Sequence, residues 1–233
     1  MRAWQTLKLG GRLLRRLGHD VVTRDLFRFS GRARQPLQFP YAISLTQEIK
    51  PSPTFVSKVF NLRLAGRRIS AHVIRPDEIF SFWHAVGSPS RHFQKSRTIR
   101  NGSLAEEAGG GLCQAAGILY LAALQTSLQV LERYNHSLDL YTAETRFAPL
   151  GSDATVVYGY KDLRLRNTYG FTIKFDLHVK GNTLVLEVLS THPVPQRMLA
   201  FKVCHLNDTK IAEVLSATGE VLSSSTYKTF PGG

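Results

Sequence analysis

Apolar and polar positions divide the chain into a helical first half and a strand-rich second half. Between residues 4 and 29 the apolar side chains Trp4, Leu7, Leu14, Leu17, Val21 and Leu26 recur at roughly helical spacing with arginines between them. This predicts a basic amphipathic helix, which Gly10-Gly11 would weaken. Residues 35–54 carry Pro36, Pro40, Pro51 and Pro53 and read as a linker. A second helix is predicted over 55–69, with Val56, Val59, Phe60 and Leu64 on one stripe and Gly66 near its end. Turn and strand signals alternate over 70–86 around Arg75-Pro76-Asp77-Glu78, and 91–100 reads as a basic loop.

From Cys113 to about Leu128 the chain is Ala-rich and apolar with no proline, which predicts a buried helix. Beyond it, Ser137–Thr142, Ala154–Tyr160, Phe171–Val179 and Thr183–Leu189 are β-branched or aromatic and bounded by turn residues, and read as strands. Lys180-Gly181-Asn182 marks a hairpin turn. Two or three more strands are expected between Phe201 and Leu222, and the tail from Tyr227 should be loose. The expected fold class is α+β, with N-terminal helices and a buried central helix packed on a mostly antiparallel sheet. Its divisions are a basic arm and proline-containing linker (1–54), a main domain (55–225) and a tail (226–233).

Composition narrows the function. At 233 residues with 43% hydrophobic side chains, the chain can build a real core. No apolar run is long enough for a transmembrane helix, and the N-terminus lacks a secretory apolar segment. The expected location is therefore cytoplasmic, at most peripheral to a membrane. The net charge of +13 is concentrated at the start, where residues 1–34 hold nine basic side chains against Asp20 and Asp25. That arm suits an anionic membrane surface or simple packing on the domain. Nucleic acid is a poor fit, because no stacking platform accompanies the charge. Two cysteines exclude a disulfide scaffold and a four-cysteine zinc site. No histidine spacing suggests another metal site, and no cofactor is expected.

The candidate chemistry begins at Gly109-Gly110-Gly111-Leu112-Cys113-Gln114. Three glycines permit a tight turn, and Cys113 falls in the first turn of the helix that follows, where unpaired N–H groups favour a thiolate. His136 and Asp153 follow, each just before an expected strand. This order matches a thiol nucleophile, a base that takes its proton, and an acid that orients the base. Asp139 or Asn135 are alternative orienters, and Gln114 or the Cys113 N–H could donate to an oxyanion. A different class of function is a non-catalytic binding module, in which Gly109–Gly111 and the helix N-terminus hold an anionic cell-envelope ligand. Cys204, within an alternating strand, reads as structural.

Several blocks together resemble the VanW family: LRLAGRRI, RPDEIFSFWHAVG, GGGLCQAAGILYLAAL, ERYNHSLDLY and GSDATVVYGYKDLRLRN, in this order between about Asn61 and Leu189. Asp77 stands where the family usually has Gly. The resemblance implies a link to glycopeptide resistance and, for some members, an L,D-transpeptidase-like activity on peptidoglycan stem peptides or precursors. Carried over, Cys113 would attack a stem-peptide carbonyl to form a thioester that an amine or water resolves. Cys113, His136 and Asp153 would be catalytic, and Gly109, Gly110, Gly111 and Gln114 would bind substrate.

Overall fold

In the computed structural model, which describes residues 2–33, 35–100, 103–139 and 146–229, the predicted N-terminal helix is α1 (Arg2–Val22), followed by a short 3-10 turn at Asp25–Arg28. The helix runs through Gly10-Gly11 without a break. Next come β1 (Gly31–Arg32), β2 (Tyr41–Glu48), α2 (Phe55–Ile69), β3 (His72–Val73), β4 (Ile79–Ser81) and α3 (Phe82–Val86). The hairpin β5 (Lys95–Arg100) and β6 (Ser103–Ala108) leads into α4 (Leu112–Gln125). The remainder is β7 (Gln129–Glu132), β8 (Arg164–Arg166), β9 (Ile173–Lys180), β10 (Thr183–Ser190), β11 (Leu199–Leu206), β12 (Thr209–Ser216) and β13 (Val221–Lys228). The α+β class holds, with the strands forming several small sheets, all antiparallel, instead of one.

Helix α4 is apolar around its circumference, and such a helix must be buried. Ala115, Ala116, Ile118, Leu119, Ala122 and Ala123 are fully enclosed. One wall around it is the sheet β2-β10-β9, in which β10 is central and registers Leu184 and Leu186 against Gln47 and Leu45 of β2. Helix α2 crosses the same sheet at very close range. A Cβ on Gly66 would lie 2.2 Å from the Leu177 backbone oxygen of β9, so only glycine lets the two backbones meet. Gly66→Ala should therefore cost about 1–3 kcal/mol through overpacking, read as a lowered denaturation midpoint with an unchanged m-value. An unchanged midpoint would show that α2 does not sit against β9 in this way.

Four sequence expectations are corrected. Residues 41–48, read as linker, form β2, because the prolines flank the segment while its interior alternates inward and outward. Residues 95–100, read as loop, pair with β6. Ala154–Tyr160 is not a strand: Val157 and Lys161 bridge each other and Tyr160 N–H closes a turn onto Val157 O. Of the strand expected over Ser137–Thr142, Leu138 makes an isolated bridge to Lys228, and the residues from 140 onward lie outside the described ones.

Asp77 adopts φ of 69°, in the left-handed region that suits glycine. Its carboxylate accepts a hydrogen bond from Arg166 Nε at 2.8 Å, a compensation glycine could not make. Helix α1 presents Arg16 and Asp20 to the body, while Leu7, Leu14, Leu17 and Val21 stay exposed. Among the described residues no helix is long and apolar enough to cross a membrane.

Candidate functional site

The glycine triplet works as a hinge that aims Cys113. Gly109 and Gly111 have φ of 90° and 97°, and a Cβ on Gly110 would lie 2.6 Å from the Ser96 backbone. The Gly109 and Gly110 amides are bonded to Gln94 O and Glu107 O. The triplet therefore joins β6 to α4 and is absent from the wall of the cleft that Cys113 lines. Cys113 is the second residue of α4, where helix geometry leaves the amide N–H without an intrahelical acceptor.

That cleft is bordered by Cys113, His136, Asp153 and Gln47, with Leu138, Phe147 and Pro149 among its apolar walls. Cys113 is partly exposed there, with Sγ 3.7 Å from Thr155 Oγ1 and 4.0 Å from Val156 O. His136 Nδ1 donates to Asp153 Oδ2 at 2.6 Å, which leaves Nε2 for the thiol.

Electrostatics follow from these contacts. Burial pushes the Cys113 thiol up, yet hydrogen bonding and charge from His136, with the Val156 backbone and the Thr155 hydroxyl, bring it below its ordinary value. Burial disfavours the His136 imidazolium, but the bonds to Asp153 and Cys113 raise it to about 10. Burial likewise opposes ionisation of Asp153, and His136 with Arg133 and Tyr227 overrides it, holding the carboxyl at about 2. All three directions favour the charged forms, thiolate, imidazolium and carboxylate in a row.

Asp153 is held by groups from two segments, residues 133–136 and β13. Its Oδ2 also accepts from the His136 backbone N–H at 2.8 Å, and its Oδ1 accepts from Arg133 at 3.0 Å and from the Tyr227 hydroxyl. The Arg133 guanidinium further donates to Asp153 O, to Gly151 O and to Ser225 Oγ, and lies over the Tyr120 ring at 4.5 Å. Arg133, Ser225 and Tyr227 were not expected from sequence. Tyr227 fell in the tail read as loose, although it is buried on β13.

The remaining candidates separate cleanly. Asp139 is engaged by Arg146 at 2.6 Å and Lys210 at 2.9 Å, and Asn135 Nδ2 by His136 O and Thr226 O, whereas the Asp153 carboxylate meets the His136 ring. Gln114 is buried and donates to Glu48 O at 2.9 Å, latching α4 to β2, so it is not positioned as an oxyanion donor. Cys204 is exposed on β11. Away from the cleft, Asp176, His178 and Glu187 bring ligand atoms within 4.8 Å of one another on the β9–β10 hairpin. That trio, divided between two strands, escaped the sequence expectation of no metal ligands.

Comparison with known proteins gives consistent results. The family model described as VanW like protein matches residues 57–189. The "Uncharacterized protein YoaR" of Bacillus subtilis (strain 168) is 32% identical over 144 residues, 61% of this chain and 46% of that protein. The "Vancomycin B-type resistance protein VanW" of Enterococcus faecalis (strain ATCC 700802 / V583) is 33% identical over 126 residues, 52% of this chain and 46% of that protein. The matched region spans less than half the length of these curated relatives. No solved structure matches the chain.

Proposed function

We propose that this chain, which belongs to the VanW-like protein family, catalyses cysteine-dependent acyl transfer or hydrolysis on peptidoglycan stem peptides or their precursors. The observation that supports this most is the convergence of Cys113, His136 and Asp153 on one cleft, with His136 Nδ1 held 2.6 Å from Asp153. The name of one relative, a vancomycin resistance protein, is in keeping with a cell-wall peptide as substrate.

In the proposed reaction the Cys113 thiolate attacks a peptide carbonyl carbon, and the carbonyl electrons move to oxygen. His136 gives its proton to the departing amine as the carbon–nitrogen bond breaks, leaving a thioester on Cys113. Neutral His136 then takes a proton from an acceptor amine or water, which attacks the thioester; the carbon–sulfur bond breaks and Cys113 leaves as thiolate beside the reprotonated His136. Asp153 keeps its negative charge throughout and holds the ring with Nδ1 protonated. The Cys113 N–H, at the start of α4, donates to the oxyanion.

The alternative of an anion-binding module draws less support. Two amides of its glycine cradle are already bonded to Gln94 O and Glu107 O, and the triplet does not line the cleft. The test is incubation with a muramyl stem tetrapeptide, followed by intact-mass measurement. An acyl adduct on wild-type protein, absent from Cys113→Ala at an unchanged melting temperature, is expected. Turnover that survives Cys113→Ala, or no adduct and no turnover in either protein, would sink the proposal.

A further inference from the structure

The inner face of β2 reads Leu45 and Gln47 and continues to Ile49 just past its end, all buried. Gln47 breaks the apolar run, is only 4% exposed, and borders the same cleft as Cys113. Both ends of its carboxamide, Nε2 and Oε1, are buried without a hydrogen-bond partner. An orphaned buried amide costs stability, and leucine would fit the pattern of this strand better. Turning the amide over changes nothing, since neither atom has a partner.

We propose that Gln47 is a substrate-binding residue whose carboxamide pairs with a neutral peptide or carboxamide group of the ligand. A carboxylate or phosphate offers acceptors alone and would face Oε1 with negative charge. An amide offers one donor and one acceptor, and satisfies both orphaned atoms at once. The ligand class is therefore an amide-bearing chain presented to Cys113, with its C=O accepting from Nε2 and its N–H donating to Oε1. This deepens the acyl-transfer reading and rests on Cys113 being the reacting group.

The test uses iodoacetamide and iodoacetate, which share one reaction: Sγ attacks the methylene carbon, the carbon–sulfur bond forms and iodide leaves. They differ in carrying a carboxamide or a carboxylate. Alkylation rates are measured in a Cys204→Ser background, with Gln47→Leu and the unbranched Gln47→Met. Both variants should lower the iodoacetamide-to-iodoacetate rate ratio by about three- to tenfold, the size of one lost hydrogen bond, with a melting temperature no lower than that of the parent. An unchanged ratio in both variants would overturn the proposal. So would a lowered melting temperature in both, which would mark Gln47 as a group the fold depends on. If stem peptides form no adduct but the ratio still falls, the acyl-transfer reading fails and the amide subsite stands.

Discussion

Alkylation of Cys113 in a Cys204→Ser background should follow an apparent pKa below the free-cysteine value of about 8.5, and His136→Ala should move it upward. The sign follows from the contacts. The thiol lies below its ordinary value because an imidazolium faces it, and that imidazolium persists to about pH 10. The rate should rise with pH through the depressed thiol value and then level off while His136 stays charged. Without the imidazole, burial is opposed only by the smaller contributions of the Val156 backbone and Thr155, and the thiol moves up. Near pH 7 the thiolate share would then fall to a few per cent or less, so the rate should drop about 10- to 100-fold. Asp153→Asn should give a smaller shift in the same direction, since the ring loses its orienting charge but keeps its place. A profile indifferent to His136, at or above the free-cysteine value, would remove the thiolate–imidazolium pair and the proposed chemistry with it.

The largest loss of stability should come from Arg164→Met. Arg164 is buried on β8, with its two terminal nitrogens 2.6 and 2.8 Å from the carboxylate oxygens of Asp20 on α1. Its Nε lies 3.3 Å from Glu132 and 3.4 Å from Asp162, and its guanidinium stacks on Phe29 at 5.1 Å. Arg164 thus faces four carboxylates, Asp25 at 3.9 Å being the fourth, and Arg16 shares Glu132 and Asp162 with it. Burial pushes Asp162 up despite the Ser81 hydroxyl and Trp83 N–H that favour its charge. Removing Arg164 leaves these acids facing one another, with Arg16 still paired to Glu132. Such a break costs about 3–5 kcal/mol, or about 10 °C in melting temperature for a chain of this size. Limited proteolysis should show α1 released first, because Asp20 is its buried anchor. A variant that melts with the parent and protects α1 equally would show that the ion cluster does not hold the helix.

Sequence alone carried the helix that bears Cys113, because the glycine triplet and the Ala-rich run are both local signals. The β9–β10 hairpin was equally plain, since Ile173–Lys180 and Thr183–Ser190 alternate around a Gly-Asn turn. The order of Cys113, His136 and Asp153 suggested a site, although the strands thought to position His136 and Asp153 are irregular. There Thr155 N–H meets Tyr134 O, and Asp153 reaches back to the His136 amide. Such contacts follow tertiary packing and leave no period in the chain. Strand β2 was hidden by its flanking prolines, and Gln47 with it. β7 and β8, four and three residues long, are too short to show alternation. Arg133 reads as one arginine among many until its carbonyl and hydroxyl partners are seen in space.

Tyr227 and Ser225 come from the last strand, and Gln47 from a strand before α2, so they lie on either side of the matched span 57–189. The segment that the family model matches is therefore shorter than the unit that builds this cleft. A fragment trimmed to that span would keep Cys113, His136 and Asp153 yet strip the carboxylate of its phenol donor, release one end of the Arg133 clamp and open a wall of the cleft. Inheritance of the cysteine motif and inheritance of a working pocket are separate matters in this architecture. The second has to be sought in flanking strands outside the span of the family model.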